Sequence, residues 1–173
     1  IGHATAKLFL DRGWRVITCA RGYPEDDFRL DATWSRHITV DLIDAGSVDA
    51  FIAEANRELD GEPLHALVNN AGMSPKSPNQ ERLGCLNGDI DAWREVFELN
   101  IFAALKLGRS FAQPLAGGGG AIVNVTSIAG HMIHPFAGSA YSSSKAALAA
   151  LTREMANEFA AIGVRVNAVS PGE

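Results

Sequence analysis

Short apolar runs alternate along this chain with longer segments whose apolar residues recur three or four positions apart. Ala4, Leu8 and Phe9 have helical spacing, and Gly13 is a natural stop for that helix. Trp14 to Ala20 is short and β-rich, and Ile38-Thr39-Val40 is a second brief strand candidate. Ser47 is placed to cap a helix with Val48, Phe51, Ile52 and Leu59 on its apolar side. His65 to Val68 reads as a buried strand ending in the turn Asn69-Asn70-Ala71-Gly72. Asp91 is placed to cap a helix bearing Trp93, Val96 and Phe97, which runs past Asn100 toward Phe111 until Pro114 ends it. Gly117 to Gly120 lead into the strand Ala121 to Val125, Ala140 to Ala161 is a further long helix, and Val166 to Gly172 form a last strand and turn. Apolar strands alternating with longer helices predict an α/β fold, a parallel sheet covered on both faces. No internal repeat is visible.

Composition narrows the function more than the fold. The 173 residues are 47% hydrophobic, an ordinary globular share that supports a sizeable core in a single domain, 1–173. The net charge of −5 is spread over both signs without a basic stripe, which argues against nucleic acid or an anionic membrane as partner. No apolar run is long enough to span a bilayer, and no signal peptide is visible. Cys19 in a strand-like run and Cys85 in a polar loop suggest reduced thiols in a cytoplasmic protein rather than a disulfide framework.

The chemistry concentrates late in the chain. Tyr141 and Lys145 lie four apart at the start of a helix, hence on one face, and Ser127 follows a strand-like Val-Asn-Val, fourteen positions before the tyrosine. A phenol is a good acid for a developing alkoxide but a sluggish base near neutrality, its ordinary pKa being about 10. At roughly 5 Å and an effective dielectric of about 20, an ammonium favours the phenolate by about 3 kcal/mol, or about two pK units. Ser127 is then a second hydrogen-bonding group for the same substrate oxygen. Tyr-x-x-x-Lys by itself is common on helices; its weight comes from the polar residues around it.

Taken in order, Asn69-Asn70-Ala71-Gly72, Asn100 within Glu98-Leu99-Asn100-Ile101, Ser127, Tyr141 with Lys145, and Pro171-Gly172 resemble the motif set of the short-chain dehydrogenase/reductase family. The resemblance covers essentially the whole chain. It implies a three-layer, doubly wound, Rossmann-like parallel sheet, incomplete at both ends. Ile1-Gly2 match the end of the family's glycine-rich phosphate loop, and the chain closes just past Pro-Gly, where the family continues with a substrate-covering segment. The chain is therefore expected to be a fragment of a longer reductase.

The resemblance further implies hydride transfer between a nicotinamide and a ketone or secondary alcohol, as in the 3-oxoacyl thioester reductases. Tyr141 would be the acid or base, and Lys145 would tune it and bind the nicotinamide ribose. Ser127 would polarise the carbonyl, and Asn100 would hold a relay water. Cofactor contacts are expected from Ile1, Gly2, Asp41, Leu42, Asn69, Ala71, Gly72, Tyr141, Lys145, Pro171 and Gly172. The family also suggests a homodimer or homotetramer formed through the two long helices, whose alanines 103, 104, 146, 147, 149 and 150 permit close approach. One departure stands out: the Ser-to-Tyr spacing is one residue longer than usual, leaving Thr126 as an alternative to Ser127.

Other features have plainer readings. The four glycines at 117–120 precede a strand rather than a helix, so a flexible turn fits better than a phosphate loop. Asn124-Val125-Thr126 matches a glycosylation sequon but falls in a buried strand. His131 and His134 lack a third ligand and read as loop residues near the substrate. The second family strand ends Thr18-Cys19-Ala20-Arg21, with no acid at its tip; an arginine there accommodates a 2′-phosphate, so NADP(H) is favoured over NAD(H). A rival to the enzyme is an inactive fragment or a dinucleotide-binding scaffold.

Overall fold

The structure, a computed structural model, describes residues 1–23 and 34–172. The chain divides into two compact units, Ile1–Glu62 and Pro63–Glu173.

The first unit runs α1 (Gly2–Asp11), β1 (Val16–Ala20), β2 (Trp34–Thr39) and α2 (Ala45–Leu59). Gly13, at φ 78°, ends α1 in the left-handed conformation that glycine adopts without steric cost, its amide bonded to the Leu10 carbonyl at 2.9 Å. Trp14 packs edge-on against Phe9, with centroids 5.2 Å apart. β1 and β2 pair in parallel, Cys19 opposite Ile38 and Ala20 opposite Thr39. The cap of α2 is Asp44 rather than Ser47: its carboxylate takes the Ser47 amide at 2.6 Å, while the Ser47 hydroxyl accepts the Asp41 amide at 3.0 Å. An anionic cap also suits the positive end of the helix dipole, which explains why the aspartate takes the position.

The second unit holds the parallel sheet β3 (Ala66–Asn69), β4 (Ala121–Val125), β5 (Arg165–Val169), in that spatial order. β4 is central, and Ile122 and Asn124 on it are completely buried. Between β3 and β4 run α3 (Ile90–Phe97), a widened π turn (Glu98–Phe102), α4 (Ala103–Ser110) and α5 (Ala112–Gly117); α6 (Ser139–Ala160) joins β4 to β5. Ile101 and Ala104 pack with Leu148 of α6, flanked by Phe97, Ala147 and Leu151.

Four local expectations are corrected. Asp89, not Asp91, holds the N-cap position of α3, and Asp91 lies in the first turn, where a negative charge is favourable. The long helix breaks at Phe111 (φ −100°, ψ 11°), and Pro114 sits inside α5. It stands in the first turn, where an amide has no helical partner to lose. The 117–120 glycines are a close-packed turn: a β-carbon at Gly118 or Gly120 would lie 2.6 or 2.7 Å from the Leu64 carbonyl oxygen. Finally, Ala103 and Ala104 are buried within the unit, while Ala146 and Ala150 are exposed. The sequon asparagine, Asn124, is fully enclosed, as its strand position requires.

Candidate active site

Lys145 is the centre of the arrangement. It is only 3% exposed, and its Nζ donates to the Val125 carbonyl at 2.7 Å, at the end of β4. One helical turn back, the Tyr141 ring centroid lies 5.7 Å from that nitrogen. Burial pushes the ammonium down from 10.5 to about 8, so the group exchanges its proton near neutral pH. The Val125 bond uses one of its three N–H donors, which leaves others for a ligand.

Ser127 is brought to the same end of β4, two residues beyond Val125. It caps the short 3₁₀ turn Ile128–Gly130, accepting the Ala129 amide at 3.2 Å, so its own O–H remains available to donate. That turn lies directly on α6: a β-carbon at Gly130 would stand 2.8 Å from the Ala146 nitrogen and 2.9 Å from the Lys145 carbonyl carbon. Thr126, the alternative, is 3% exposed and gives its hydroxyl to the Val169 carbonyl at 2.8 Å. Its donor is spent on joining β4 to β5. The geometry therefore favours Ser127.

Asn100 sits in the π turn, 1% exposed. Its Oδ1 accepts the Met73 amide at 2.9 Å; its Nδ2 donates to the Met73 carbonyl at 3.2 Å and to Ser144 Oγ at 2.9 Å. Ser144 in turn donates to the Tyr141 carbonyl at 2.8 Å. Asn100 thus clamps the loop after Gly72 and ties it to the helix that carries Tyr141 and Lys145. The widened turn is what swings the asparagine inward, a use of π geometry common at functional sites.

The remaining predicted residues are distributed as follows. Asn69 is buried and donates through Nδ2 to Asn124 Oδ1 at 2.9 Å; Asn124 Nδ2 reaches Thr152 Oγ1 at 2.9 Å. Ala71 and Gly72 are exposed. Pro171 accepts the Ile128 amide at 3.1 Å, and Gly172 lies against the Ile128 side chain. In the first unit, Gly2 opens α1 after an exposed Ile1. Arg21 and Asp41 are exposed just past the carboxyl ends of β1 and β2, which the Val40 amide joins by its 2.9 Å bond to the Ala20 carbonyl. Strand carboxyl ends are where ligands of doubly wound sheets bind. Asp41 Oδ1 accepts the Ile43 amide at 3.0 Å, and Leu42 is buried.

The family model for short chain dehydrogenases matches residues 1–173. The chain belongs to that family. Among curated members, this short-chain dehydrogenase is 53% identical over 175 residues to Protein FixR of Bradyrhizobium diazoefficiens, covering 100% of this chain and 63% of the relative. It is 38% identical to a cis-4-hydroxycyclohexanecarboxylate dehydrogenase of Sinomonas cyclohexanicum, over 99% of this chain and 68% of the other. Among solved structures, a short chain dehydrogenase/reductase of Brucella ovis, in complex with a partially ordered NAD, is 50% identical with a TM-score of 0.93, over 99% of this chain and 78% of that one. The α/β Rossmann-like fold is therefore shown for this family member.

Sequence reasoning missed several contributors. Ser144 precedes Lys145 in the run Ser142-Ser143-Ser144, and only the i−3 bond to Tyr141 singles it out. Thr152 and Asn124 form the buried polar chain below the site, with no motif to announce them.

Proposed function

We propose that the chain carries the catalytic centre of an oxidoreductase acting between NADP(H) and a ketone or secondary alcohol. The observation that supports it most is the buried Lys145 Nζ, held by Val125 one helical turn from Tyr141. The residues fit a nicotinamide dinucleotide: Gly72 leaves an open approach beside Lys145 Nζ that a side chain would close, and Lys145 has donors to spare. When bound, the dinucleotide supplies or accepts the hydride at the carbonyl carbon.

The chain's own groups handle the proton and the orientation. In reduction, Tyr141 gives its phenolic proton to the oxygen that becomes the alcohol; in oxidation, it takes that proton back. The Ser127 O–H donates to the same oxygen and fixes the face presented. Lys145 would hold a ribose hydroxyl and return a proton to Tyr141, with Asn100 holding a water in the relay that reaches Lys145. Asn69, Ala71 and Gly72 would line the dinucleotide, and Pro171 and Gly172 would border its reactive ring. Taken by itself, the first unit would offer Ile1 and Gly2 to phosphate, and Asp41 and Leu42 to adenine. The substrate is a small carbonyl or secondary alcohol, the class named for the Sinomonas relative, with 3-oxoacyl thioesters as the first panel member.

Arg21 supports NADP(H), since an exposed guanidinium past β1 suits a 2′-phosphate. The NAD in the Brucella ovis relative favours the other dinucleotide, and the NADPH-to-NADH ratio of kcat/KM decides between them. The exposed Ala146 and Ala150 of α6 leave room for the close approach of a second helix, which supports a homo-oligomer. The central test is dinucleotide oxidation against a panel of ketones, with Tyr141→Phe beside the wild type. Loss of turnover with retained dinucleotide binding is expected; equal turnover removes the proposed acid.

A further inference from the structure

α6 begins without a side-chain cap: Gly138 holds the cap position, and no side chain bonds the free amides of the first turn. Tyr141 is the third residue of this helix, inside the turn most prone to fray. Lys145 is anchored independently, by Val125 on β4. Besides the Ser144 bond to the Tyr141 carbonyl, the relation between the two therefore depends on what holds residues 136–139.

That hold comes from a distant segment, residues 75–84. Lys76 and Arg82 pair across a tight antiparallel bridge, closed by the Ser77 amide on the Glu81 carbonyl at 3.1 Å and by the Glu81 amide on Ser77 Oγ at 3.0 Å. From this hairpin Arg82 reaches over Gly138. Its Nε donates to the Ala137 carbonyl at 2.7 Å, and its Nη2 to Ser139 Oγ at 3.3 Å. The next residue completes the grip, for the Leu83 carbonyl accepts the Ser139 amide at 2.9 Å. Lys76 Nζ donates to the Phe136 carbonyl. Gly138 is pressed so closely between them that a β-carbon would lie 3.1 Å from the Leu83 carbonyl oxygen.

A cation beside a helix N-terminus opposes the helix dipole, so helix stability does not explain Arg82. Its value lies in geometry. We infer that Arg82 is a positioning residue for Tyr141, fixing the launch of α6 so that the phenol stays one turn from Lys145. The inference rests on the acid/base reading of Tyr141 above.

The test is steady-state kinetics of Arg82→Met, Arg82→Lys and Tyr141→Phe in the full-length protein, with methylguanidinium added to Arg82→Met. A misplaced acid lowers the rate of the chemical step, so kcat of Arg82→Met should fall roughly ten- to a hundredfold. KM for dinucleotide and substrate should stay within about twofold, since uniform binding is untouched. Arg82→Lys keeps the charge but lacks the two-pronged fork, and should recover only part of the rate. Methylguanidinium should restore several-fold activity to Arg82→Met and none to Tyr141→Phe.

Wild-type kcat in a folded Arg82→Met overturns the inference, as does a defect confined to KM for the substrate, which would make Arg82 a substrate ligand. If Arg82→Met does not fold, Ser139→Ala removes the Nη2 contact alone; a kcat identical to wild type there also overturns it. Active Tyr141→Phe would instead overturn the acid/base reading itself, so the two failures are distinguishable.

Discussion

Gly72 and Lys145 stand so close that a β-carbon on residue 72 would lie 3.2 Å from the lysine Nζ and 3.1 Å from Asn100 Oδ1. No chain direction demands glycine here, for Gly72 is not among the positive-φ positions. The requirement is space. Gly72→Ala should displace the lysine or the asparagine by a few tenths of an ångström and lower kcat roughly tenfold, at a stability cost of about 1 kcal/mol. Kinetics and urea melts of one preparation check both. Unchanged kcat would show that the polar cluster tolerates the shift.

Stability should rise with pH around Lys145. Its folded value of about 8 lies below the ordinary 10.5, so between these the unfolded chain carries a proton that the folded chain lacks. The cost of burying the charge is fully present below about pH 8 and is relieved above it, by up to about 3 kcal/mol. Cys19 acts oppositely, because burial raises its thiol from 9.0 to about 11, and its contribution falls as pH climbs through that range. The difference between wild type and Lys145→Met isolates the lysine. Denaturant melts from about pH 7 to about pH 10 should show the wild type gaining on the variant.

The buried chain Asn69–Asn124–Thr152 should behave as a unit. Asn124→Leu keeps the volume but strips partners from Asn69 Nδ2 and leaves that amide buried, alongside an Asn69 Oδ1 that already lacks one. The expected loss is about 2–4 kcal/mol. Adding Asn69→Leu should cost less than its single effect predicts, a coupling that a double-mutant cycle measures.

Three glycines separate rigid from yielding contacts. Gly118→Ala and Gly120→Ala drive a methyl into the Leu64 carbonyl, at 2.6 and 2.7 Å, and should each cost more than about 2 kcal/mol. Gly108→Ala meets Met155 Cε at a nominal 2.5 Å, yet that atom ends a flexible side chain. Alanine also favours a helix interior by about 1 kcal/mol over glycine, so Gly108→Ala should be nearly neutral. Thermal melts order the three.

The proposed preference for NADP(H) is tested at Arg21. Arg21→Ala should lower kcat/KM for NADPH about tenfold or more while leaving that for NADH within about twofold. If neither changes, recognition of the ribose edge lies elsewhere.

Much of the architecture was legible because the apolar spacing of β3, β4 and α6 is unambiguous, and the glycine after α1 sits where a left-handed turn was needed. Cap positions were less so. Asp44 and Ser47 are both good capping residues, and only the reach of the carboxylate to the Ser47 amide decides between them. Pro114 misled because proline stops a helix from its interior but starts one from its first turn. Within the candidate site, motif order pointed to Tyr141, Lys145 and Ser127, whereas a reason to favour Ser127 over Thr126 needed the Val169 bond. Arg82 was invisible for a physical reason: its partners, the Ala137 carbonyl and Ser139 Oγ, lie more than fifty residues away, beyond the reach of any local pattern.

The widened turn at Glu98–Phe102 sets a limit on how this chain can vary in length. An α-helical turn spans 3.6 residues, so removing one residue from a wider turn lets the segment relax to ordinary α geometry, with everything beyond it still in phase. A helix would survive such a deletion. Asn100 would lose the bulge that turns it toward Met73 and Ser144 while the Ala104 face stays on Leu148, so the shortened protein would keep its packing and lose the grip that organises its centre.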